Sequence, residues 1–298
     1  MHSLLLHNGR LVPTSEKTLS PGQVGFMNGW GVFSTLRVMD GVLFAFERHW
    51  ARMRRDAELM RVPMPSDPEA FRRELLTLVD ANAAYNSTLR VAIVRNRGGL
   101  FEGAGIEREF ETLAFTTGLH AWGKSVKLSV EEQARHGANR FAGVKITSWI
   151  QNLTWLERAK AAGCDEVVLL DEKGLVSECT SANIFAVHGD GVWTPPLTSG
   201  CLPGVTRALL LEQLRVPGIT VAEREMNLEA LFSAKSVFIT STTRELLPVE
   251  SIGGRAVSQE GPEQSKLQAA LSSYMTTYVA DSQRQGRSVA GQAASTGR

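Results

Sequence analysis

The segment Glu111-Thr112-Leu113-Ala114-Phe115-Thr116-Thr117-Gly118-Leu119-His120-Ala121-Trp122-Gly123-Lys124-Ser125-Val126-Lys127-Leu128-Ser129-Val130 decides how the chain is divided. Glu111–Thr117 reads as a strand and Val126–Val130 as another. Gly118–Gly123 between them reads as a link, so a domain boundary is expected there. Residues 1–120 are then a smaller α+β domain and residues 124–280 a larger one.

Toward the N-terminus, Leu4–Leu11 folds around Asn8-Gly9-Arg10 as a hairpin. Val32–Val38 and Val42–Phe46 flank Met39-Asp40-Gly41 as a second. From Arg48 to Met60, apolar residues Trp50, Met53, Ala57 and Met60 recur at helical steps, and Pro63 and Pro65 end the helix. Glu69–Ala84 is a second helix and Leu89–Val94 a strand. Toward the C-terminus, helices are expected over Trp155–Ala162, Val205–Arg215, Leu228–Phe232 and Gln264–Tyr278. Strands are expected over Glu166–Leu170, Asn183–Val187, Val192–Thr194 and Ser236–Thr240. No regular βαβ alternation runs through this order, so the fold class is α+β. From Asp281 the residues are polar and small without apolar period, and residues 281–298 are expected to be a disordered tail.

The net charge of +1 and the lack of a basic run argue against nucleic acid as a partner. Three dispersed cysteines (Cys164, Cys179, Cys201) and six scattered histidines give no metal-ligand or redox pair, and a cytoplasmic setting is expected. The first residues lack the features of a secretory signal, and no apolar run is long enough for a membrane span.

Four segments carry residue types suited to chemistry. Gly143-Val144-Lys145-Ile146-Thr147-Ser148-Trp149 sets one lysine among small and apolar residues, where desolvation favours the neutral, nucleophilic amine. Leu175–Phe185 holds one carboxylate, Glu178, between apolar stretches, so it needs a cationic or donor partner. Gly200-Cys201-Leu202-Pro203-Gly204-Val205-Thr206-Arg207 opens a helix whose first N–H groups suit a phosphate. Thr240-Ser241-Thr242-Thr243-Arg244-Glu245 clusters hydroxyls at a strand end. Singly, each has an ordinary structural reading: a surface lysine, an exposed turn glutamate, a plain helix entry and a Ser/Thr turn.

In this order the segments resemble the class IV, or fold type IV, pyridoxal-phosphate enzymes over about Leu6 to Tyr278. These include branched-chain aminotransferases, D-amino-acid aminotransferases and aminodeoxychorismate lyases. The resemblance implies a two-domain fold of the D-amino-acid aminotransferase type, pyridoxal 5′-phosphate as cofactor and a homodimer. Lys145 matches the Schiff-base lysine and Glu178 the partner of the pyridine nitrogen. Arg52, in His49-Trp50-Ala51-Arg52-Met53, matches the phosphate-gripping arginine. Val205, Thr206 and Thr242 match further phosphate ligands, and Ser181 is placed with the cofactor-binding residues. Thr243 falls where the family meets the substrate carboxylate.

Two departures concern the substrate. Trp149 stands at or near the position of a tyrosine in many relatives, and Asn28-Gly29-Trp30-Gly31-Val32-Phe33-Ser34 replaces an acidic motif. D-amino-acid aminotransferases resemble the chain least, because their Arg-x-His is absent from Asn96–Ile106. Arg90 sits where branched-chain enzymes place an arginine for an acidic substrate group and where lyases place a lysine nearby; its ordinary reading is a strand-edge arginine facing water. Trp30, Phe33 and Trp149 form an apolar rim that favours leucine, isoleucine or valine. Phe33-Ser34-Thr35 and Glu178-Cys179 look closer to aminodeoxychorismate lyase, whereas Leu202-Pro203-Gly204-Val205-Thr206-Arg207 favours the aminotransferase. The resemblance therefore implies an aminotransferase that passes the amino group of a hydrophobic amino acid to a 2-oxo acid such as 2-oxoglutarate. The alternative is a lyase that releases pyruvate and 4-aminobenzoate from aminodeoxychorismate.

Overall fold

Asn8 and Gly9 take φ of 50° and 77°, the left-handed pair that closes a two-residue hairpin. They join β1 (Leu4–His7) to β2 (Arg10–Pro13). After α1 (Val24–Asn28), Asp40 and Gly41 repeat the device between β3 (Gly31–Met39) and β4 (Val42–Leu43), at 47° and 75°. The computed structural model describes residues 1–99 and 102–289.

Two helices follow, α2 (Phe46–Leu59) and α3 (Pro68–Ala81), then β5 (Ser87–Arg95) and β6 (Phe110–Thr117). The sheet of this unit has six strands in the order β2-β1-β6-β5-β3-β4, and every neighbouring pair is antiparallel. Trp50, Met53 and Ala57 of α2 and Phe71, Leu75, Leu78 and Val79 of α3 bury their apolar stripes with Leu36, Val38, Leu89, Val91 and Ile93 of the sheet. The start of α3 is fixed by Asp67, whose Oδ1 accepts the N–H groups of Glu69 (2.8 Å) and Ala70 (3.1 Å), with Pro68 in the first turn. Asp67→Ala is expected to cost about 1 kcal/mol. A thermal melt that does not fall would contradict this role for the cap.

The second unit contains β7 (Val126–Glu131), α4 (Ile150–Ala161), β8 (Glu166–Leu170), β9 (Val176–Cys179), β10 (Asn183–His188) and β11 (Gly191–Thr194). It continues with α5 (Val205–Glu212), β12 (Val221–Glu223), α6 (Leu228–Phe232), β13 (Ser236–Ser241), β14 (Glu245–Ile252) and β15 (Arg255–Ala256). The sheet order is β12-β11-β10-β13-β14-β7-β8-β9, with β15 on β14. β8 is buried at every position, which explains its unbroken Val-Val-Leu-Leu run. β14 lies between two neighbours yet contains Pro248, which removes a ladder donor. The register with β7 shifts just beyond it, between Val249 and Ser251.

The last helix, α7 (Glu263–Arg284), corrects the expectation of disorder from Asp281. Val279 and Ser282 are buried, so the last turns still have packing to hold them. Beyond the helix, Val289 N donates to Gly41 O at 3.1 Å and Ser288 bridges Val42. The rest of the expected tail, residues 290–298, lies outside the described residues.

The two compact units are not continuous in sequence. The first is Met1–His120 with Lys145–Ser148 and the chain from Met275. The second is Ala121–Val144 with Trp149–Tyr274. Among the described residues no helix is long and apolar enough to cross a membrane, and no group of three or more His, Cys, Asp or Glu is arranged to hold a metal ion.

Candidate active site

β4 pairs only with Val38 and Met39, which leaves the first half of β3 with an open edge. Lys145–Thr147 fills it. Phe33 N donates to Lys145 O at 3.1 Å, Thr147 N donates to Gly31 O at 2.9 Å, and Val32 and Ile146 form an antiparallel bridge. Thr147 Oγ1 adds a bond to Gly29 O at 2.7 Å. Gly29 has φ of 60°, and a Cβ there would stand 2.7 Å from Ser148 Oγ, so glycine suits both its backbone and its neighbour. The Lys145 N–H leaves the ladder and donates to Asp56 Oδ2 at 3.1 Å.

The Lys145 amine lies 4.5 Å from the centroid of the Phe33 ring, and the Arg90 guanidinium lies 4.1 Å from the same centroid. Phe33 is buried. Arg90 is half-buried, and burial alone lowers its pKa, with no carboxylate among the described residues to offset it. A cation held on an aromatic face in this way retains its capacity for an anion.

Arg52 is buried on α2. Its Nη2 donates to Ser34 Oγ at 2.8 Å, and that hydroxyl also meets His49 Nδ1 at 2.8 Å. Burial pulls the Arg52 pKa down to about 10 against the opposing charge of Asp56. Burial, followed by the charges of Arg52 and Lys145, holds His49 well below the ordinary histidine range, so its imidazole is neutral. Arg52 Nε is buried without a hydrogen-bond partner among the described residues. An orphaned guanidinium N–H is costly in a protein interior, and a phosphate oxygen would satisfy it. Trp30 is differently engaged: its Nε1 donates to Met60 O at 2.7 Å, and Arg95 stacks on its ring at 4.4 Å.

In the second unit, the buried Glu178 on β9 has the cationic partner its burial requires. Arg135 Nε donates to Oε1 and Leu202 N to Oε2, each at 3.0 Å. A carboxylate offers about four acceptor positions, so capacity for a further N–H remains. Val205 and Thr206 open α5 behind Gly204, which has extended backbone and no side-chain cap. A Cβ on Gly204 would meet the Asn183 side-chain amide, which glycine leaves in place. The first N–H groups of this helix have no partner within it and suit an anion.

Thr242 and Thr243 lie in the turn between β13 and β14. Trp122 Nε1 donates to Thr243 O at 3.0 Å, and Arg244 stacks on the Trp122 ring at 4.0 Å. Arg244 also donates to Ser181 Oγ at 2.9 Å and to Glu166 at 3.1 Å. Glu166 is fully buried and accepts the hydroxyls of Thr180 and Ser181. The structure thus engages Ser181 in a Glu166–Arg244 network. Trp149 is the half-buried residue preceding α4.

The first unit therefore brings together Arg52, Lys145, Phe33 and Arg90. The second places Ser181 beside the turn of Thr242 and Thr243. Asp56, Ser34, Arg135, Glu166 and Arg244 are additions to the residues read from sequence. A signal existed for one group: His49, Arg52 and Asp56 recur at three- and four-residue steps and share one face of α2.

An amine-bearing edge segment and a buried arginine on a hydroxyl occur in the first unit, and a glycine-opened helix start occurs in the second. The family profile described as amino-transferase class IV matches residues 31–252, and the chain belongs to that family. The enzymes of this family depend on pyridoxal 5′-phosphate, and this one is a pyridoxal-phosphate-dependent transaminase. The D-alanine aminotransferase of Bacillus licheniformis is 27% identical over 278 residues, 90% of this chain and 95% of that protein. A putative branched-chain-amino-acid aminotransferase of Methanocaldococcus jannaschii is 28% identical over 266 residues, 85% of this chain and 89% of that one. The crystal structure of the Escherichia coli branched-chain amino acid aminotransferase matches with a TM-score of 0.85 at 23% identity, covering 93% of this chain and 96% of that one. That match shows the shared fold.

The D-alanine enzyme is as similar over the whole chain as the branched-chain relative. This corrects the expectation that D-amino-acid aminotransferases resemble the chain least. The Arg-x-His criterion concerns a few residues, whereas overall identity is dominated by the scaffold.

Proposed function

We propose that the enzyme moves an amino group between a hydrophobic, branched-chain-like amino acid and a 2-oxo acid such as 2-oxoglutarate. The observation that carries this reading is the Phe33 ring, with the Lys145 amine on it at 4.5 Å and the Arg90 guanidinium at 4.1 Å. Lys145 acts where the amino group is exchanged. Arg90, one ring away, takes the distal carboxylate of glutamate or 2-oxoglutarate. A hydrophobic donor instead uses the aromatic surface of Phe33; Trp30 and Trp149 are assigned to the substrate by the family resemblance alone.

Bound pyridoxal phosphate supplies an electron sink that acidifies the substrate Cα–H. Lys145 Nζ would take that proton from Cα of the amino donor and, in the reverse half of the cycle, deliver one to Cα of the 2-oxo acid. The orphaned Nε of Arg52 favours a phosphate in its reach. Val205, Thr206 and Thr242 are assigned to the cofactor phosphate by the family resemblance, and the helix start at Val205 suits an anion. Glu178 is assigned to the pyridine nitrogen, and Ser181 supports the cofactor-binding turn. Thr243 is assigned to the substrate α-carboxylate. A cytoplasmic homodimer belongs to the same reading, supported by the free cysteines and the family membership.

A donor panel with 2-oxoglutarate tests the reading. Glutamate is expected from leucine, isoleucine or valine. Arg90→Met is expected to raise KM for 2-oxoglutarate by about 10- to 100-fold, the loss of a charge-assisted pair worth about 1.5–3 kcal/mol. KM for the hydrophobic donor stays close to wild type. No glutamate from any donor, with pyruvate released from aminodeoxychorismate, would make the enzyme the lyase instead.

A further inference from the structure

Asp56 has no exposed surface, yet it bears a carboxylate. Burial raises its pKa, and the charges of Arg55 and Arg52 together with the Lys145 N–H oppose that rise. One oxygen, Oδ1, receives Arg55 Nε at 2.9 Å, and the other, Oδ2, receives the Lys145 backbone N–H at 3.1 Å. Arg52 lies one helical turn earlier on the same face of α2, and Asp56 favours its charged form.

The Lys145 backbone is otherwise held on one side. Its carbonyl takes a rung from Phe33, and the next rung belongs to Thr147. The ladder therefore fixes the strand direction, while the peptide N–H of Lys145 itself is directed by Asp56. A half-buried amine on a four-residue edge segment shifts whenever its own peptide plane rotates. Reacting groups displaced by about 1 Å lose about 100-fold in rate.

We propose that Asp56 is a positioning residue for the transamination, setting the Lys145 peptide so that its amine lies on the Phe33 ring. This rests on the reading of Lys145 as the reacting amine. Asp56 touches no reacting atom; it acts through Lys145.

The test compares Asp56→Ala with Asp56→Asn in the full-length holoenzyme. Asparagine keeps an acceptor oxygen for the Lys145 N–H, and alanine does not. D56A is expected to lose kcat by about 100-fold, with KM for the amino donor close to wild type. Its apoenzyme is expected to bind pyridoxal phosphate about 10-fold more weakly in a titration of visible absorbance. D56N is expected to recover most of the lost kcat. Thermal melts of the apoenzymes report folding separately from these readouts. If D56A does not fold, Asp56→Leu takes its place, since leucine and asparagine have similar shapes and differ in the acceptor.

A folded D56A with wild-type kcat and cofactor affinity would overturn the proposal. So would a folded D56N as impaired as D56A. Borohydride reduction of the wild-type holoenzyme with peptide mapping separates the two layers. A label on another lysine sinks the reading of Lys145. A label on Lys145 together with an unimpaired D56A sinks the role of Asp56 alone.

Discussion

Lys145→Ala is expected to abolish transamination, with a loss on the order of 10⁴-fold, the upper end for a single positioned proton carrier. The fold is expected to survive. The edge segment is held by the backbone rungs of Phe33 and Thr147 and by the Asp56 carboxylate, none of which uses the lysine side chain. Single-turnover assays and a circular dichroism melt on the same sample check both halves. Substantial residual turnover in a well-folded K145A would mean that a different lysine does the chemistry.

Arg244→Ala is expected to have the largest effect on stability among substitutions outside the apolar cores. Arg244 is the cation beside Glu166, which has no exposed surface. Burial pushes the Glu166 pKa up, and the Arg244 charge is the main opposing influence. Removing one member of a buried pair costs about 3–5 kcal/mol, since the other charge is stranded. That corresponds to a Tm lower by roughly 10 °C for a unit of this size. Replacing both partners, as in E166Q with R244M, is expected to cost less than the two single changes together. An R244A protein melting within about 2 °C of wild type would show that the network is not the anchor its geometry describes.

Much of the fold is local physics and was readable. Asn8-Gly9 and Asp40-Gly41 announce left-handed turns, and the stripe Trp50, Met53, Ala57 announces a helix whatever surrounds it. β14 was not readable, because Pro248 marks it as a poor strand, and the tolerance comes from a register shift with a strand more than a hundred residues earlier. At the candidate site the same division holds. The burial of Glu178 implied a cation, but which one depended on folding. Arg135 comes from a polar stretch with no period, 43 residues before it. The pairing of Asp56 with Lys145 spans 89 residues and has no sequence pattern of its own, since one partner is a backbone N–H. Ser181 stands out in sequence only by its place in a motif, while the network that engages it needs Glu166 from β8 and Arg244 from the far turn.

The edge of β3 has a consequence for how the protein is made. Gly31 to Phe33 acquires its outer partner only when Lys145–Thr147 emerges from the ribosome, and Gly41 acquires Val289 later still. At cellular elongation rates the first interval is on the order of ten seconds. For that time a stretch of unpaired strand backbone on a nascent chain is open to neighbouring polypeptides. The chemistry-bearing segment therefore also acts as the late seal of the first unit. Substitutions in residues 145–147 that weaken its rungs are expected to reduce the yield of native chain during expression, even where the purified survivors are fully stable.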